Sequence, residues 1–321
     1  MTEETKTSTE INLSSVDKKS PHRQIPVWIM YLGLILCALF AVEVPVVSGV
    51  LFGTLLRTCA DCYGSKSFSR AAIFLLIAAV VRGCISLPTG IAVLTTTLTA
   101  FGIVKLMWVH EADTTHVAGL IVFMTCLSLG FDLIYTSVLG TTIPDLLLSS
   151  VQQMLPGEVQ YASMEENSMS MQLVSIFKII WPLSYVVSTI SNATYAALGS
   201  CIAGYIDHTA RPLQGFTTYD APLWSVGVLA TAVLCIALGN VPSNLSQAFL
   251  TVGSTVAMSV RLIFTLQGFA VVSSKLLRKV GCLSRAIIIF FAVWAEMMFM
   301  VVSIIGLIDI WANFRKLERS K

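Results

Sequence analysis

From about Ile25 to Trp311 the chain consists of long apolar runs separated by short polar breaks. Ala71–Leu87, Gly90–Trp108, Val117–Leu139 and Ala286–Ile310 lack the polar–apolar alternation of a half-buried helix or strand. A helical run of about 17–25 apolar residues spans a bilayer core. Lipid offers no partners to backbone N–H and C=O groups, so such runs satisfy them internally as helices. The pattern predicts an all-α fold, a polytopic transmembrane helix bundle of about eight segments.

Segment one runs from about Ile25 to Leu56 and is interrupted at Glu43-Val-Pro45. Segments two (Ala71–Leu87) and three (Gly90–Trp108) form a hairpin through Pro88-Thr-Gly90, and segment four spans Val117–Leu139. Segment five extends from near Met171 to Ile206, with a bend expected at Pro182. Segment six is Pro222–Leu238. Segment seven, about Leu245 to Leu277, is long enough to tilt, break near Gly268 or protrude. Segment eight is Ala286–Trp311, and Trp28, Trp108, Trp224 and Trp311 mark segment ends in the manner of interfacial belts.

Basic residues bear on orientation. Lys18, Lys19 and Arg23 before segment one, and Arg315, Lys316, Arg319 and Lys321 after segment eight, favour a cytoplasmic location for both ends. Arg57, Lys66, Arg70, Lys275, Arg278, Lys279 and Arg285 would then face outward, against the same rule. The conflict disappears if segments one and eight are short re-entrant hairpins. The stretch Thr141–Ser170 carries four acidic residues and no Lys or Arg, as an outward loop would. Within it Pro144 opens an amphipathic pattern through Leu147, Val151, Met154 and Leu155, read first as a surface helix over the bundle and second as a lid.

Composition agrees: 55% of residues are hydrophobic and 12% charged, with a net charge of +2. No basic patch marks a nucleic-acid partner. Residues 1–24 are polar and mixed in sign, which predicts a disordered tail rather than a cleavable signal. Residues 25–317 form the membrane domain and 318–321 a polar end.

Ionisable groups at membrane depth are the strongest pointers to function, because each costs about 2.5–3.5 kcal/mol on insertion scales. Glu43, Asp132, Arg261 and Glu296 are the candidate ligand or ion pathway; the competing reading is an interhelical pair, such as Arg261 with Asp132 or Glu296, that fixes packing. Lys178 and Arg82 lie nearer segment ends, where their stems can snorkel to the interface. Ser184, Ser188, Asn192, Ala196, Ser200 and Gly204 recur every fourth residue, a small-residue stripe for close helix packing or partner docking.

Catalytic signatures are missing. His110-Glu111 begins a zinc-protease pattern, but Thr114 occupies the second ligand position, and no nucleotide-binding glycine motif occurs. Neither an enzyme nor a cofactor or metal is expected. Cys59 and Cys62 form a lone C-x-x-C among eight cysteines, most of them inside apolar runs.

The C-terminal third carries a resemblance. Leu266-Gln-Gly-Phe-Ala-Val-Val272, the basic turn Leu277-Arg-Lys279, and Gly306-Leu-Ile-Asp-Ile-Trp-Ala-Asn-Phe-Arg315 resemble the closing signature of the YybS-like family, with Phe216–Trp224 resembling its polar approach to a helix. That family comprises multi-spanning bacterial membrane proteins with a domain of unknown function. It is distantly similar to substrate-binding subunits of energy-coupling-factor transporters and to the rod-shape protein MreD. The resemblance implies a bacterial inner-membrane, multi-pass protein whose ligand is an unidentified small molecule. It also implies partners in an ATPase and transmembrane coupling subunits, besides the lipid bilayer. The expectation is thus a non-enzymatic solute-binding or transport component; the alternative is a structural or assembly protein of the envelope. The resemblance places Gln267 and Asp309 in structural roles, with Asp309 and Arg315 at the interface beside Trp311.

Overall fold

The computed structural model describes residues 26–109, 113–144, 179–206, 216–242, 244–276 and 280–316. The tail before residue 25, the pattern through Leu147 and Leu155, Lys178, the turn at Leu277–Lys279 and residues 318–321 lie outside them. The described residues are helical, with no strand among them.

We number the helices α1 (Val27–Leu39), α2 (Pro45–Ile85), α3 (Leu87–Val109), α4 (Thr114–Leu139), α5 (Leu183–Ile206), α6 (Trp224–Gly239), α7 (Ser246–Lys275), α8 (Cys282–Phe299) and α9 (Val301–Ala312). A short 3-10 turn, Phe216–Thr218, precedes α6. Five of these helices are long and apolar enough to cross a membrane, or six if the bent α8–α9 pair counts as one span. The expected eight segments are therefore not all matched by full-length helices. At 1.5 Å per residue, α1 with its 13 residues and α6 with its 16 reach about 20 and 24 Å, short of a ~30 Å core.

Helix α2 is the longest at 41 residues, about 62 Å if straight. It is not straight. Gly64 sits at φ 75°, ψ −175°, outside helical space. The Cys59 sulfur and the Ser67 hydroxyl meet at 3.3 Å, although eight residues of straight helix would separate them by about 12 Å along the axis. Leu55 touches Gly33 while Ser67 and Phe74 touch Tyr31. Ser48 bonds Phe40 while Arg82 reaches Glu43. Both arms of α2, residues 45–63 and 65–85, therefore lie beside α1, folded back on each other at Gly64. Only glycine adopts that backbone geometry without strain, and the polar stretch Arg57–Arg70 surrounds it.

The Pro45 interruption expected in segment one is present as the turn between α1 and α2. The second arm of α2 then turns through Ser86 into α3, where Gly83 and Gly90 pack backbone to backbone. Pro182 marks a break, with α5 starting at Leu183. Segment seven is one unbroken helix, so Gly268 is not a break. Segment eight is broken instead: Met300 adopts left-handed geometry (φ 56°, ψ 24°), and the two helices meet at 95°.

The helices form two packed groups. In the first, α1, α2, α3, α4 and α5 enclose a core that includes Leu34, Phe52, Leu56, Leu75, Val93, Val104 and Ala196. In the second, α6, α7 and α9 pack around Val260, Phe264 and Ile310. The groups touch through α5 and α7, and α8 packs on α9. Outward faces are apolar: Val80, Val122, Val138 and Phe290 are each more than half exposed. That inside-out distribution suits lipid, where apolar side chains gain nothing by hiding from solvent.

Candidate functional site

The four ionisable candidates fall at three separate places. Glu43, in the turn before α2, pairs with Arg82 on that helix's second arm. This contact holds the exposed Glu43 carboxyl below the usual range. Asp132 on α4 accepts a 2.6 Å hydrogen bond from the Tyr185 hydroxyl of α5. Arg261 and Glu296 do meet, across α7 and α8.

The Arg261–Glu296 contact is the centre of the densest polar cluster near the α8–α9 break. Arg261 donates through Nη2 to Glu296 Oε1 at 2.7 Å and to its backbone carbonyl at 3.0 Å, and through Nε to Oε1 at 3.0 Å. Thr265, one turn along α7, places its hydroxyl 3.2 Å from Oε1 and 2.9 Å from the Ser303 hydroxyl. The second carboxylate oxygen accepts the Ser303 backbone N–H at 2.9 Å. Glu296 thereby caps the start of α9, whose first N–H groups have no helical acceptor and whose dipole favours a negative charge. Among the described residues of α8, Glu296 is the buried one. A single carboxylate thus ties α7, α8 and α9 together. Thr265 and Ser303 escaped the sequence reading; the signal was the spacing, since Arg261 and Thr265 lie one turn apart on one face.

A second polar lock lies at the far side of α7. Gln267 and Asp309 are fully buried, and the Arg315 side chain is 2% exposed. Gln267 Nε2 donates to Asp309 Oδ2 at 2.9 Å and Asp220 Oδ1 at 3.1 Å, while its oxygen accepts the Ala221 N–H at 2.8 Å. Arg315 donates to Asp309 through Nη2 at 2.9 Å and through Nε at 3.1 Å, and to the carbonyls of Thr217 and Tyr219 at 2.8 and 2.6 Å. Burial and the adjacent Asp220 push the Tyr219 hydroxyl up to about 12. Asp309 and the Arg315 side chain are therefore buried binders of the 216–222 segment, while Trp311 is exposed.

The small-residue stripe is an internal interface over its middle. A Cβ on Gly53 would stand 2.0 Å from the Ala196 carbonyl oxygen, and one on Gly199 2.0 Å from that of Val50. Each four-residue step rotates about 40° around a helix, so Ser184 and Ser188 drift out to the surface while Ala196, Ser200 and Gly204 stay buried. Asn192 bonds Thr96 of α3 inside the bundle, as a structural residue. Cys59 is buried and Cys62 exposed, and among the described residues no three His, Cys, Asp or Glu gather as a metal site.

Long apolar helices, lipid-suited faces and polar groups paired at membrane depth fit a multi-pass integral membrane protein. Comparison with protein-family models, curated proteins and solved structures finds no match.

Proposed function

We propose that the chain is a non-enzymatic solute-binding or transport component of a bacterial inner membrane, with the cluster at the α8–α9 break as its site. The observation behind this reading is the break itself: an apolar segment interrupted at Met300 with Arg261, Thr265, Glu296 and Ser303 gathered round it. Non-helical backbone at membrane depth persists where protein buries it or a polar cavity receives it. Transporters commonly place substrate at such discontinuous helices. Here solute would enter by exchanging with the Arg261–Glu296 contact. The resemblance to energy-coupling-factor subunits adds an ATPase and transmembrane coupling subunits as the source of energy.

A structural or assembly role in the cell envelope is favoured by a different observation. Glu43, Asp132, Arg261 and Glu296 each already have a partner within the chain, as packing residues would. Native mass spectrometry of protein extracted gently from its own membrane separates the two. A retained small molecule or co-purified ATPase supports transport; an empty bundle with envelope proteins supports the scaffold. With a ligand in hand, Glu296→Gln abolishes its binding while the fold persists if the α8–α9 cluster is the site.

A further inference from the structure

We propose that α8 and α9 form a re-entrant hairpin: the chain enters the membrane after Lys275, turns at Met300 beside the middle of α7, and leaves on the side it entered. The alternative path is one crossing with a bend. Helix α8 has 18 residues and α9 has 12, about 27 and 18 Å, so neither spans a ~30 Å core alone. The two meet at 95°, so they do not add end to end into one straight span.

Contacts at the tip and at both ends trace the path. Arg261 is the sixteenth of the 30 residues of α7, and it bonds Glu296 near the end of α8 and Ser303 near the start of α9. The tip therefore stands level with the middle of α7. Cys282 follows Lys275 by seven residues, a reach of about 24 Å at most, whereas α7 is about 45 Å long. Helix α8 thus cannot start at the Ser246 end. The far end of α9 returns to the Lys275 side. Helix α6 runs antiparallel to α7, because Gly239 packs on Leu250, Gly253 packs on Ala232 and Ile236, and the Ala221 N–H bonds Gln267. The start of α6 therefore lies beside the Lys275 half of α7. Arg315, just past α9, donates to the Thr217 and Tyr219 carbonyls that precede α6, at 2.8 and 2.6 Å.

The two limbs differ in their surroundings. Helix α9 packs closely on α7, Val302 against Gly268 and Gly306 against Phe264. Helix α8 leaves Phe290, Trp294, Met297 and Met298 exposed, an apolar face suited to lipid. Charge agrees with the path. Lys275, Arg278, Lys279 and Arg285 precede the hairpin, Lys316, Arg319 and Lys321 follow it, and residues 240–245 at the other end of α7 contain no Lys or Arg. A re-entrant path puts all of these basic residues on one side, as the positive-inside rule favours, whereas a crossing divides them. This path holds whether the α8–α9 cluster takes a solute or only packs helices.

The test uses the full chain with its native cysteines replaced by serine. Single cysteines are introduced as Arg285→Cys before the hairpin, Lys316→Cys after it and Asn244→Cys in the α6–α7 turn, all at exposed positions. A membrane-impermeant maleimide is added to intact cells and to inverted vesicles. Arg285→Cys and Lys316→Cys are expected to label together in inverted vesicles and to lose labelling in intact cells, with Asn244→Cys showing the reverse. Joint labelling of the first two in intact cells, with Asn244→Cys on the opposite face, also supports the hairpin and reverses only its orientation. Arg285→Cys and Lys316→Cys labelling from opposite faces overturns the proposal, as does labelling of all three from one face. Where either variant fails to accumulate, Ser284→Cys and a protease-cleavable tag appended after Lys321 read the same two points. Cleavage of the tag from the face that labels Ser284→Cys supports the hairpin; cleavage from the other face overturns it. Loss of solute binding in Glu296→Gln leaves these sides unchanged, so the two readings fail separately.

Discussion

At the scale of single residues, the charged groups in this chain matter through the partners they find. Glu296 accepts from Arg261, from the Ser303 backbone and from two hydroxyls, so Glu296→Gln leaves Arg261 with its charge unbalanced. Breaking a buried pair from one side costs about 3–5 kcal/mol, less where a side chain is partly open, and Arg261 is 24% exposed. We expect a loss of about 2–3 kcal/mol in denaturant unfolding of the full chain in micelles. Replacing both partners by apolar residues of similar volume recovers most of it; equal losses in single and double variants would refute the coupling. At the second lock, Arg315→Lys fails to substitute, because one ammonium does not reproduce the fork shared by Asp309 and the carbonyls of Thr217 and Tyr219. A folded Arg315→Lys protein with unchanged unfolding midpoint would contradict that assignment. Depth in an apolar run was enough to single out Arg261 and Glu296 from sequence. The other pairings were not readable, since Glu43 and Arg82 lie 39 positions apart and Gln267 and Asp309 lie 42 apart.

At the scale of elements, glycine separates packing from propensity. Gly53→Ala drives a methyl group into the Ala196 carbonyl, 2.0 Å away, and forces α2 and α5 apart. Overpacking of this kind costs about 1–3 kcal/mol. Gly119 and Gly130 in α4 have nothing within 4 Å of a new Cβ, so Ala there stabilises by about 0.5–1 kcal/mol through helix propensity. Thermal unfolding of the three variants in one detergent checks the sign of each; equal responses would mean that the α2–α5 contact is not tight. Helices α3 and α4 were legible within a few residues, because their apolar runs begin and end at clear polar breaks. The fold-back at Gly64 was not. Arg57 to Arg70 reads as a polar interruption, whereas these residues continue both helical arms up to a single glycine. Segment eight hid its break for the opposite reason: Met300 is apolar, and its left-handed backbone leaves no mark in the hydropathy pattern.

At the scale of the whole molecule, the turn at Gly64 changes what the chain does with its charges. Because the two arms of α2 run beside α1 in opposite directions, the start of α1, the Gly64 turn and the end of α3 share one end of the first helix group. Exposed Lys66, Arg70 and Lys105 belong to that end. The turns at Glu43, Ser86 and Gly140 belong to the other, where Arg82 is neutralised by Glu43. Under the positive-inside rule, charge bias of this kind predicts a cytoplasmic Lys66 end, and the fold-back puts Lys66 and Arg70 on the same side as the start of α1. Two exposed native thiols report on it directly. Cys62 lies two residues before Gly64 and Cys84 two before Ser86, so they stand at opposite ends. With the other cysteines replaced by serine, a membrane-impermeant maleimide added to intact cells labels Cys84 and spares Cys62, and inverted vesicles give the reverse. Labelling of both from one side would mean that the second arm of α2 does not cross the membrane. Cys62 reacting in intact cells while Cys84 is spared would keep the crossing of the second arm and reverse the orientation, leaving Lys66 and Arg70 facing outward.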